Sequence, residues 1–229
     1  MNMNEPGAKA LAELEPEGLA AEGPGWQQRK SAQTRIAILE AAIECLEKYG
    51  YARTTTQLIA QVAEISRGAM LHHYATKQEL IASVIDYTFY KRMESFLARI
   101  KDLSERQRVE DIAGVERYWD SIQTPEFTAY IELSMAARTD EELRSIFLPK
   151  EQRYDQIERE EVIKAFPEWQ KQHERYIFAM DFCVAAIEGL LLNRDIWNSE
   201  IRRRQLRDFV GKMLLAIRQG DVKLPAKRK

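Results

Sequence analysis

The sequence has few of the residues from which catalytic and metal sites are built. Its 229 residues include three histidines and two cysteines. Cys45 and Cys183 stand far apart in apolar helical patterns, so we expect small buried hydrophobic residues in a reducing compartment. The chain has no Gly-rich phosphate loop, no Glu-x-x-His pair and no Cys/His spacing typical of a metal site. The sequence therefore predicts no enzyme, cofactor or metal, and a helical-bundle enzyme remains only as an alternative.

Long apolar runs are missing as well. None reaches the ~20 residues that a membrane-spanning helix needs. Acidic residues interrupt the first 25 positions, where a secretory signal would need an apolar core. Because 45% of the residues are hydrophobic, the chain can still bury a sizeable core. We expect a soluble cytoplasmic protein that does not contact the membrane.

A strong net charge is also absent, since the formal value is −2. Its distribution is uneven. Residues 1–25 carry five acids and one lysine, whereas residues 26–101 carry eleven lysines and arginines against seven acids, a net charge of +4. The basic excess therefore lies in one segment, where it could face a phosphate backbone. Residues 1–25 also hold no aromatic side chain and are rich in Ala, Glu, Gly and Pro, which predicts a disordered tail.

Helical periodicity dominates the remaining sequence. The spacing of Ile36, Leu39, Ile43 and Leu46 places one apolar stripe on a helix over 32–49, which Gly50 ends. Capping boxes predict further helix starts at Thr76 and Thr139, and a proline at the first helical position predicts another after Thr124. Pro149 is expected to break or kink its helix. Apolar helices are also expected over 170–194 and 200–219, and no alternating strand pattern occurs, so the fold class is all-α.

Two short helices follow the first long one. Thr55 can cap a helix over 55–63, and Ser66 can cap another over 67–74. A turn of about four residues joins them, which is the helix-turn-helix pattern of DNA-binding proteins.

The segment from Thr54 to Tyr74, with Tyr49-Gly50-Tyr51 before it and Lys77 to Leu80 after it, resembles the DNA-binding domain of the TetR family of regulators. Two positions depart from the family pattern. Glu64 stands in the turn, where the family usually has glycine, and Leu71 stands where it commonly has tyrosine. The resemblance implies a three-helix DNA-binding domain over 26–82, a helical ligand-binding and dimerisation domain over 83–220, and a tail over 221–229.

The residues of this motif suit DNA recognition. Arg67 begins the second short helix, where a guanidinium can reach O6 and N7 of guanine. Gly68 and Ala69 are small enough for close approach to DNA or to the helix behind. The helix start at Thr55 and Thr56 can attract phosphate, and Lys77 can reach the flanking backbone. The full set of DNA-contact candidates is Thr55, Thr56, Gln57, Arg67, Gly68, Ala69, Leu71, His72, His73, Tyr74 and Lys77.

Simpler roles stay open for several of these residues. Thr55 can be a helix cap alone, Arg67 a solvated charge, and Gly68 a packing residue. The adjacent histidines point about 100° apart on a helix and cannot chelate one ion well. One of them is expected at a phosphate or base edge and the other in the interior. For Tyr74 a core position is the favoured alternative to a DNA contact.

The resemblance also implies a mechanism. A dimer would place two recognition helices in successive major grooves of a palindromic operator, and a small, mainly apolar effector would release this repressor from DNA. A DNA-binding regulator without a ligand remains an alternative. The aromatic and methionine side chains that could line a pocket, each also a candidate for plain core, are Trp119, Phe127, Tyr130, Met135, Phe147, Tyr154, Phe178 and Phe182.

The last two helices are candidates for the dimer interface. The stretch 174–192 is apolar on more than one face, and a single surface helix needs only one apolar stripe. The surplus predicts a second contact, in which two helices from each chain form a four-helix bundle with a two-fold axis. A monomeric core is the alternative. The predicted interface residues are Phe182, Ile187, Gly189, Leu190, Leu191, Phe209 and Met213.

Overall fold

The computed structural model describes residues 7–19, 25–101, 103–104, 106–107, 111–197 and 199–225, and within these ranges it contains helices and no β-strand. The predicted all-α class is confirmed. The α-helices are α1 Ala8–Leu14, α2 Trp26–Tyr49, α3 Thr56–Val62, α4 Arg67–His73, α5 Lys77–Lys101, α6 Asp111–Ser121, α7 Pro125–Ala136, α8 Glu141–Ala165, α9 His173–Leu192 and α10 Glu200–Gln219. Short 3₁₀ helices cover Tyr51–Arg53 and Pro167–Gln172.

Two compact units make up the chain. The first comprises Met1–Phe96 and Thr124–Glu158, and the second comprises Leu97–Gln123 and Arg159–Lys229. Helices α5 and α8 each contribute residues to both units. The predicted boundary after residue 82 falls inside α5, so the division into a DNA-binding domain and a second domain stays a functional prediction.

The first unit is built around α2, which packs mainly against α3 and α7. Leu39, Ile43 and Leu46 of the predicted stripe are buried, but Ile36 is 37% exposed. Gly50 ends α2 with φ +73°, a conformation that L-residues rarely adopt, and its N–H donates to the carbonyl of Leu46. Core residues from α5 complete this unit, among them Leu80, Val84, Phe89 and Met93.

The second unit is built around α10, which packs against α6 and α9. Its core includes Trp119, Ile187 and Leu214, each less than 9% exposed. Arg207 is also buried. Its Nε donates to Oε1 of Glu116 at 2.8 Å and its Nη2 to Oε1 of Glu200 at 3.0 Å, so its charge is compensated on two sides.

Three local expectations differ from the structure. The segment 1–25 was expected to be disordered, but its described part contains α1, whose Ala8, Ala10 and Leu14 are buried. Pro149 lies inside α8, so the first of its two expected effects, a break or a kink, does not occur. The side chain that caps α8 is Asp140, whose Oδ1 accepts from the N–H of Leu143 at 2.9 Å. A carboxylate one position after Thr139 provides the better acceptor for the helix N-terminus.

Residues 221–225 have no regular structure, although Arg175 Nη1 donates to the carbonyl of Val222 at 3.2 Å, and residues 226–229 lie outside the described ranges. Among the described helices, none combines the length and apolar character that crossing a membrane requires. Cys45 and Cys183 are both free and buried, as expected.

Candidate nucleic-acid interface

Capping side chains define the two short helices. Thr55 Oγ1 accepts from the N–H of Leu58 at 3.1 Å, and Ser66 Oγ accepts from the N–H of Ala69 at 3.1 Å. Each helix has only seven residues, too few to be stable alone. The caps and the packing of Ile59 and Met70, both 1% exposed, therefore fix where these helices begin and which face is buried.

The turn between α3 and α4 has an unusual backbone. Glu64 has φ +55°, and no other described non-glycine residue has a positive φ. Its N–H donates to the carbonyl of Gln61, and the N–H of Ile65 donates to the carbonyl of Ala60 at 3.0 Å. A glutamate thus occupies a left-handed conformation in which glycine has no steric penalty.

The outer face of α4 is open to solvent. Arg67 and His72 are exposed, and Leu71 is 50% exposed, although it is a large apolar residue. A Cβ on Gly68 would meet only Ser66 Oγ, at 3.9 Å, so packing within this chain does not require glycine there. This face therefore presents a guanidinium that can bind guanine, an apolar side chain that can contact a thymine methyl, and a glycine that allows close approach.

The other face of α4 joins the core. Tyr74 is 5% exposed, and the guanidinium carbon of Arg35 lies 5.5 Å from the centre of its ring. The inclusion of Tyr74 among the DNA contacts is therefore corrected to a core position. His73 is half-buried, and burial together with the positive charge of Arg35 lowers its pKa. His72, whose ring is 5.5 Å from that of His73, is the exposed member of the pair.

The start of α5 is fixed by the predicted capping box. Thr76 Oγ1 accepts from the N–H of Glu79 at 3.1 Å, and Glu79 Oε2 accepts from the N–H of Ala75 at 2.9 Å. The exposed Lys77 has its Nζ 5.1 Å from the centre of the Tyr51 ring. The hydroxyl of Tyr51 donates to Asp140 Oδ2 at 3.4 Å, and this bond helps to hold the ring against which Lys77 lies. The sequence did not predict that Tyr51 lies beside Lys77, because Glu132 and Asp140, which bond to Tyr51, are 81 and 89 residues away.

The remaining DNA-contact candidates stand near the start of α3. Gln57 and Thr55 are exposed, and Thr56 is half-buried. Ala69 is half-buried on α4. The starts of α3 and α4 and the cations of Arg67 and Lys77 are therefore all accessible from solvent in the first unit.

The eight predicted pocket residues do not form one group. Phe127, Tyr130, Phe147 and Tyr154 come together in the first unit around Arg92, whose guanidinium carbon lies 4.1 Å from the centre of the Tyr130 ring. The ring of Phe89 stacks on that of Tyr154 at 4.8 Å. Met135 is 51% exposed on the same unit. Trp119, Phe178 and Phe182 belong to the second unit, where Trp119 lies under the guanidinium of Arg207.

Arg92 was missed from the sequence, because Lys91 and Arg92 stand side by side in α5 and the sequence does not show which of the two cations faces the aromatic rings. The hydroxyl of Tyr130 donates to Oε1 of Glu151 at 3.1 Å. Burial, followed by the negative charge of Glu158, raises the pKa of Tyr154 well above its usual range. The cluster is therefore an aromatic core with charged groups set into it.

The same unit has an open cleft of about 570 Å³ between α2, the α3–α4 turn and the start of α7. None of the eight predicted pocket residues lines it. Five of its twelve lining residues are acidic, namely Glu40, Glu44, Glu47, Glu64 and Glu126, and Lys48 is the one basic residue among the twelve.

The predicted dimer residues also separate into two sets. Ile187 and Leu190 are at most 4% exposed because they face the core of their own unit, so their assignment to a dimer interface is corrected. Phe209 is 56% exposed, while Phe182, Gly189, Leu191 and Met213 are half-buried. Other exposed apolar side chains of the same helices are Phe178, Val184, Leu192 and Ile201.

Comparison with known proteins supports the motif. The family described as "Bacterial regulatory proteins, tetR family" matches residues 38–84. The chain is 27% identical over 119 residues to an uncharacterized HTH-type transcriptional regulator of Mycobacterium tuberculosis, covering 52% of this chain and 60% of that protein. It is 31% identical over 121 residues to the HTH-type transcriptional repressor AcnR of Corynebacterium efficiens, covering 51% and 57% of the two chains. The match thus spans less than two thirds of these relatives.

The fold has a solved counterpart. A putative transcriptional regulator from Saccharomonospora viridis, crystallised in complex with choline, superimposes with a TM-score of 0.59 at 15% identity, covering 80% of this chain and 96% of that one. At this identity the likeness concerns the fold. The relatives named above are regulators rather than enzymes, and the family match falls on the capped helix pair α3–α4. Residues 38–84 therefore match the tetR family of bacterial regulatory proteins, and about half of the chain is similar to regulators of transcription.

Proposed function

We propose that the chain is a DNA-binding transcriptional regulator that reads an operator through α4. The exposed face of α4 carries this proposal, because a capped recognition helix presents Arg67, Leu71 and His72 to solvent while Tyr74 anchors its other face. The start of α3 precedes this helix in the chain and Lys77 follows it, and we expect both to contact phosphates. The named relatives are regulators of transcription.

Selection from a pool of randomised DNA duplexes tests the proposal, since it works with an operator of any sequence. We expect enrichment of a two-fold symmetric sequence whose half-sites lie about one helical turn, ~34–36 Å, apart. Arg67→Ala is the matched variant, and its enriched sequences should lose preference at one position in each half-site. A pool that stays random after selection with the wild-type chain would refute sequence-specific binding.

A homodimer is the second part of the proposal. Phe178, Leu192 and Phe209 are between 37% and 58% exposed on α9 and α10, although large apolar side chains of long helices normally face a core. A second copy of the chain is the partner whose two-fold symmetry matches a palindromic site. Light scattering at micromolar concentration should give a mass twice the 26.6 kDa of one chain.

Release by a small, mainly apolar effector is the third part. Its support is the aromatic cluster around Arg92, which combines apolar rings with polar atoms of Tyr130 and Glu151. The structural relative from S. viridis was crystallised with choline, a small organic cation. A thermal-shift screen of small molecules, followed by a DNA-release assay with the selected duplex, tests this part. Hits that stabilise the protein and also weaken DNA binding are expected.

A regulator without an effector is the second candidate function. The rings of Phe89, Phe127, Tyr130, Phe147 and Tyr154 contact one another at centre distances of 4.8–6.1 Å, as in a filled core. If no screened compound both shifts the melting temperature and releases DNA, this candidate replaces the effector-controlled repressor.

A further inference from the structure

The segment 7–19, here called the N-terminal arm, is fixed to the first unit. Its helix α1 has seven residues, well below the ~12–15 that an isolated helix needs, so contacts with the rest of the unit stabilise it. Ala8, Ala10 and Leu14 are at most 9% exposed. The arm is therefore a docked element whose order depends on a small number of contacts.

One end of the arm is attached to α8. The carboxylate of Glu13 pairs with the guanidinium of Arg153, and Lys9 Nζ lies 3.7 Å from the same carboxylate. Farther along the arm, the negative charge of Glu17 lies close enough to Asp86 of α5 to affect the pKa of that carboxyl group. Burial raises the pKa of Asp86, its bond to Lys150 opposes that rise, and the negative charge of Glu17 adds to it. The arm thus runs along α5 and α8.

The other end of the arm reaches the helices of the DNA-binding motif. Gly18 lies against the side chain of Arg35 on α2, because a Cβ on Gly18 would come within 3.3 Å of Arg35 Nε. Arg35 in turn lies over the ring of Tyr74. The N–H of Tyr74 donates to the carbonyl of Met70 at 2.9 Å and closes the last turn of α4. Contacts therefore join Arg153 to Glu13, and Gly18 through Arg35 to Tyr74, and the chain of the arm links Glu13 to Gly18.

We propose that the N-terminal arm is a strap that holds the C-terminal end of the recognition helix α4 through Arg35 and is itself held to α8 by the Glu13–Arg153 pair. Its effect on DNA affinity rests on the proposed function, whereas its effect on the order of α4 does not. While the pair is intact, Arg35 is confined between Gly18 and Tyr74. When the pair breaks, α1 loses its anchor, Arg35 gains freedom, and the last turn of α4 opens more often.

An electrostatic role for the acidic arm is the competing explanation. Asp86, beside Glu17, is nine residues after Lys77 on α5, which corresponds to about 14 Å along the helix. The Debye length at 0.1 M salt is about 10 Å, so repulsion between the arm and DNA phosphates is largely screened. A strap acts through an ion pair in direct contact, much closer than the Debye length, so 0.1 M salt weakens its effect less than it weakens the repulsion from DNA.

Hydrogen exchange of the full-length chain tests the strap directly. Glu13→Lys and Arg153→Glu should each speed exchange of the Tyr74 amide about two- to fivefold, the range that one exposed ion pair supports. The double variant Glu13→Lys/Arg153→Glu should restore most of the wild-type rate, since only the weaker pair of Glu13 with the exposed Lys9 stays lost. Glu15→Lys is the matched control, because Glu15 is exposed, lies two residues away and undergoes the same charge change. It should leave the Tyr74 amide unchanged.

The selected duplex provides the second measurement. Glu13→Lys should weaken DNA binding by the same two- to fivefold factor, about the strength of the lost pair, without changing the salt dependence. Unchanged exchange at Tyr74 while the Leu11 amide of the arm exchanges freely would refute the strap. So would equal effects of Glu13→Lys and Glu15→Lys, which would indicate charge alone. If the chain selects no duplex, the proposed function fails, and hydrogen exchange still decides on the strap.

Discussion

Helices α3 and α4, here called the recognition segment, differ from the C-terminal helices α9 and α10 both in what stabilises them and in what they expose to solvent. Helices α3 and α4 have seven residues each, begin at capping side chains and expose mainly polar or small residues. Helices α9 and α10 have twenty residues each and expose Phe178, Leu192 and Phe209. The short pair is determined by local hydrogen bonds and presents cations to solvent. The long pair is stable by its length and packing, and it presents large apolar side chains to solvent.

The largest expected effect comes from a mutation in the long helix pair α9 and α10. Phe209→Arg places a charge on the exposed apolar face of α10 and should weaken dimerisation by about 30-fold or more, as expected for losing an interface anchor of ~2 kcal/mol. Sedimentation over a concentration series measures this change. Met135→Arg, at a residue that is 51% exposed in the first unit, is the control and should leave the mass unchanged. A wild-type mass of one chain at every concentration would contradict the dimer.

The next effect concerns the short pair. Arg67→Ala should cost about 1–3 kcal/mol against the preferred base at one position and little on a scrambled duplex. Lys77→Ala should instead weaken all duplexes alike and lower the slope of log K against log salt by about one. Titrations on selected and scrambled duplexes at three salt concentrations distinguish the two results. If neither variant differs from wild type, α4 is not the reading helix.

A smaller effect is expected in the turn of the recognition segment. Glu64→Gly should stabilise the protein by about 0.5–1 kcal/mol, because removing left-handed strain outweighs the added freedom of the unfolded chain. Urea unfolding measures the difference. Glu64→Ala removes the same charge but keeps a Cβ, and it should give no such gain. Equal stabilisation by both variants would assign the effect to the acidic cleft rather than to the backbone.

The smallest effect is a pH dependence at the buried side of α4. The pKa of His73 is lowered by burial and by the positive charges of Arg35 and His72. Below about pH 6.5, the usual value, the unfolded chain takes up a proton that the folded chain resists. Stability should therefore fall as the pH drops from 6.5 towards the lowered pKa. Urea unfolding at pH 7.5 and 5.5 should show a smaller loss for His73→Gln than for wild type. His72→Gln removes only the smallest of the three contributions to the lowered pKa of His73, so it should lose nearly as much stability as wild type.

The sequence predicted the features that depend on a few consecutive residues. Thr55, Ser66 and Thr76 cap their helices as expected because each cap needs only the next three N–H groups. The cap at Asp140 was misplaced by one residue because two suitable acceptors compete there. The order of α1 was not predictable, since an Ala-rich seven-residue helix owes its stability to Arg153 and other distant residues.

The allocation of apolar side chains was the least predictable part. Helical periodicity identifies apolar residues that favour burial, but it does not show whether they face the core of their own unit or another surface. Ile187 and Leu190 face their own unit, while Phe209 of the neighbouring helix is exposed. The pocket candidates likewise divide between the two units. Residues 97–123 and 159–229 form one unit, and residues 1–96 and 124–158 form the other.

Pro149 makes α8 easier to bend at one point than along the rest of its length. A proline within a helix lacks the N–H that would bond to the residue four positions earlier, here Ser145, and bending is easiest at such a point. Phe147 lies before this joint and Tyr154 lies after it, although both rings contact Phe89. A displacement of Phe147 can be absorbed at Pro149. A displacement of Tyr154 is passed to Arg153, its immediate neighbour in the chain, without an intervening joint.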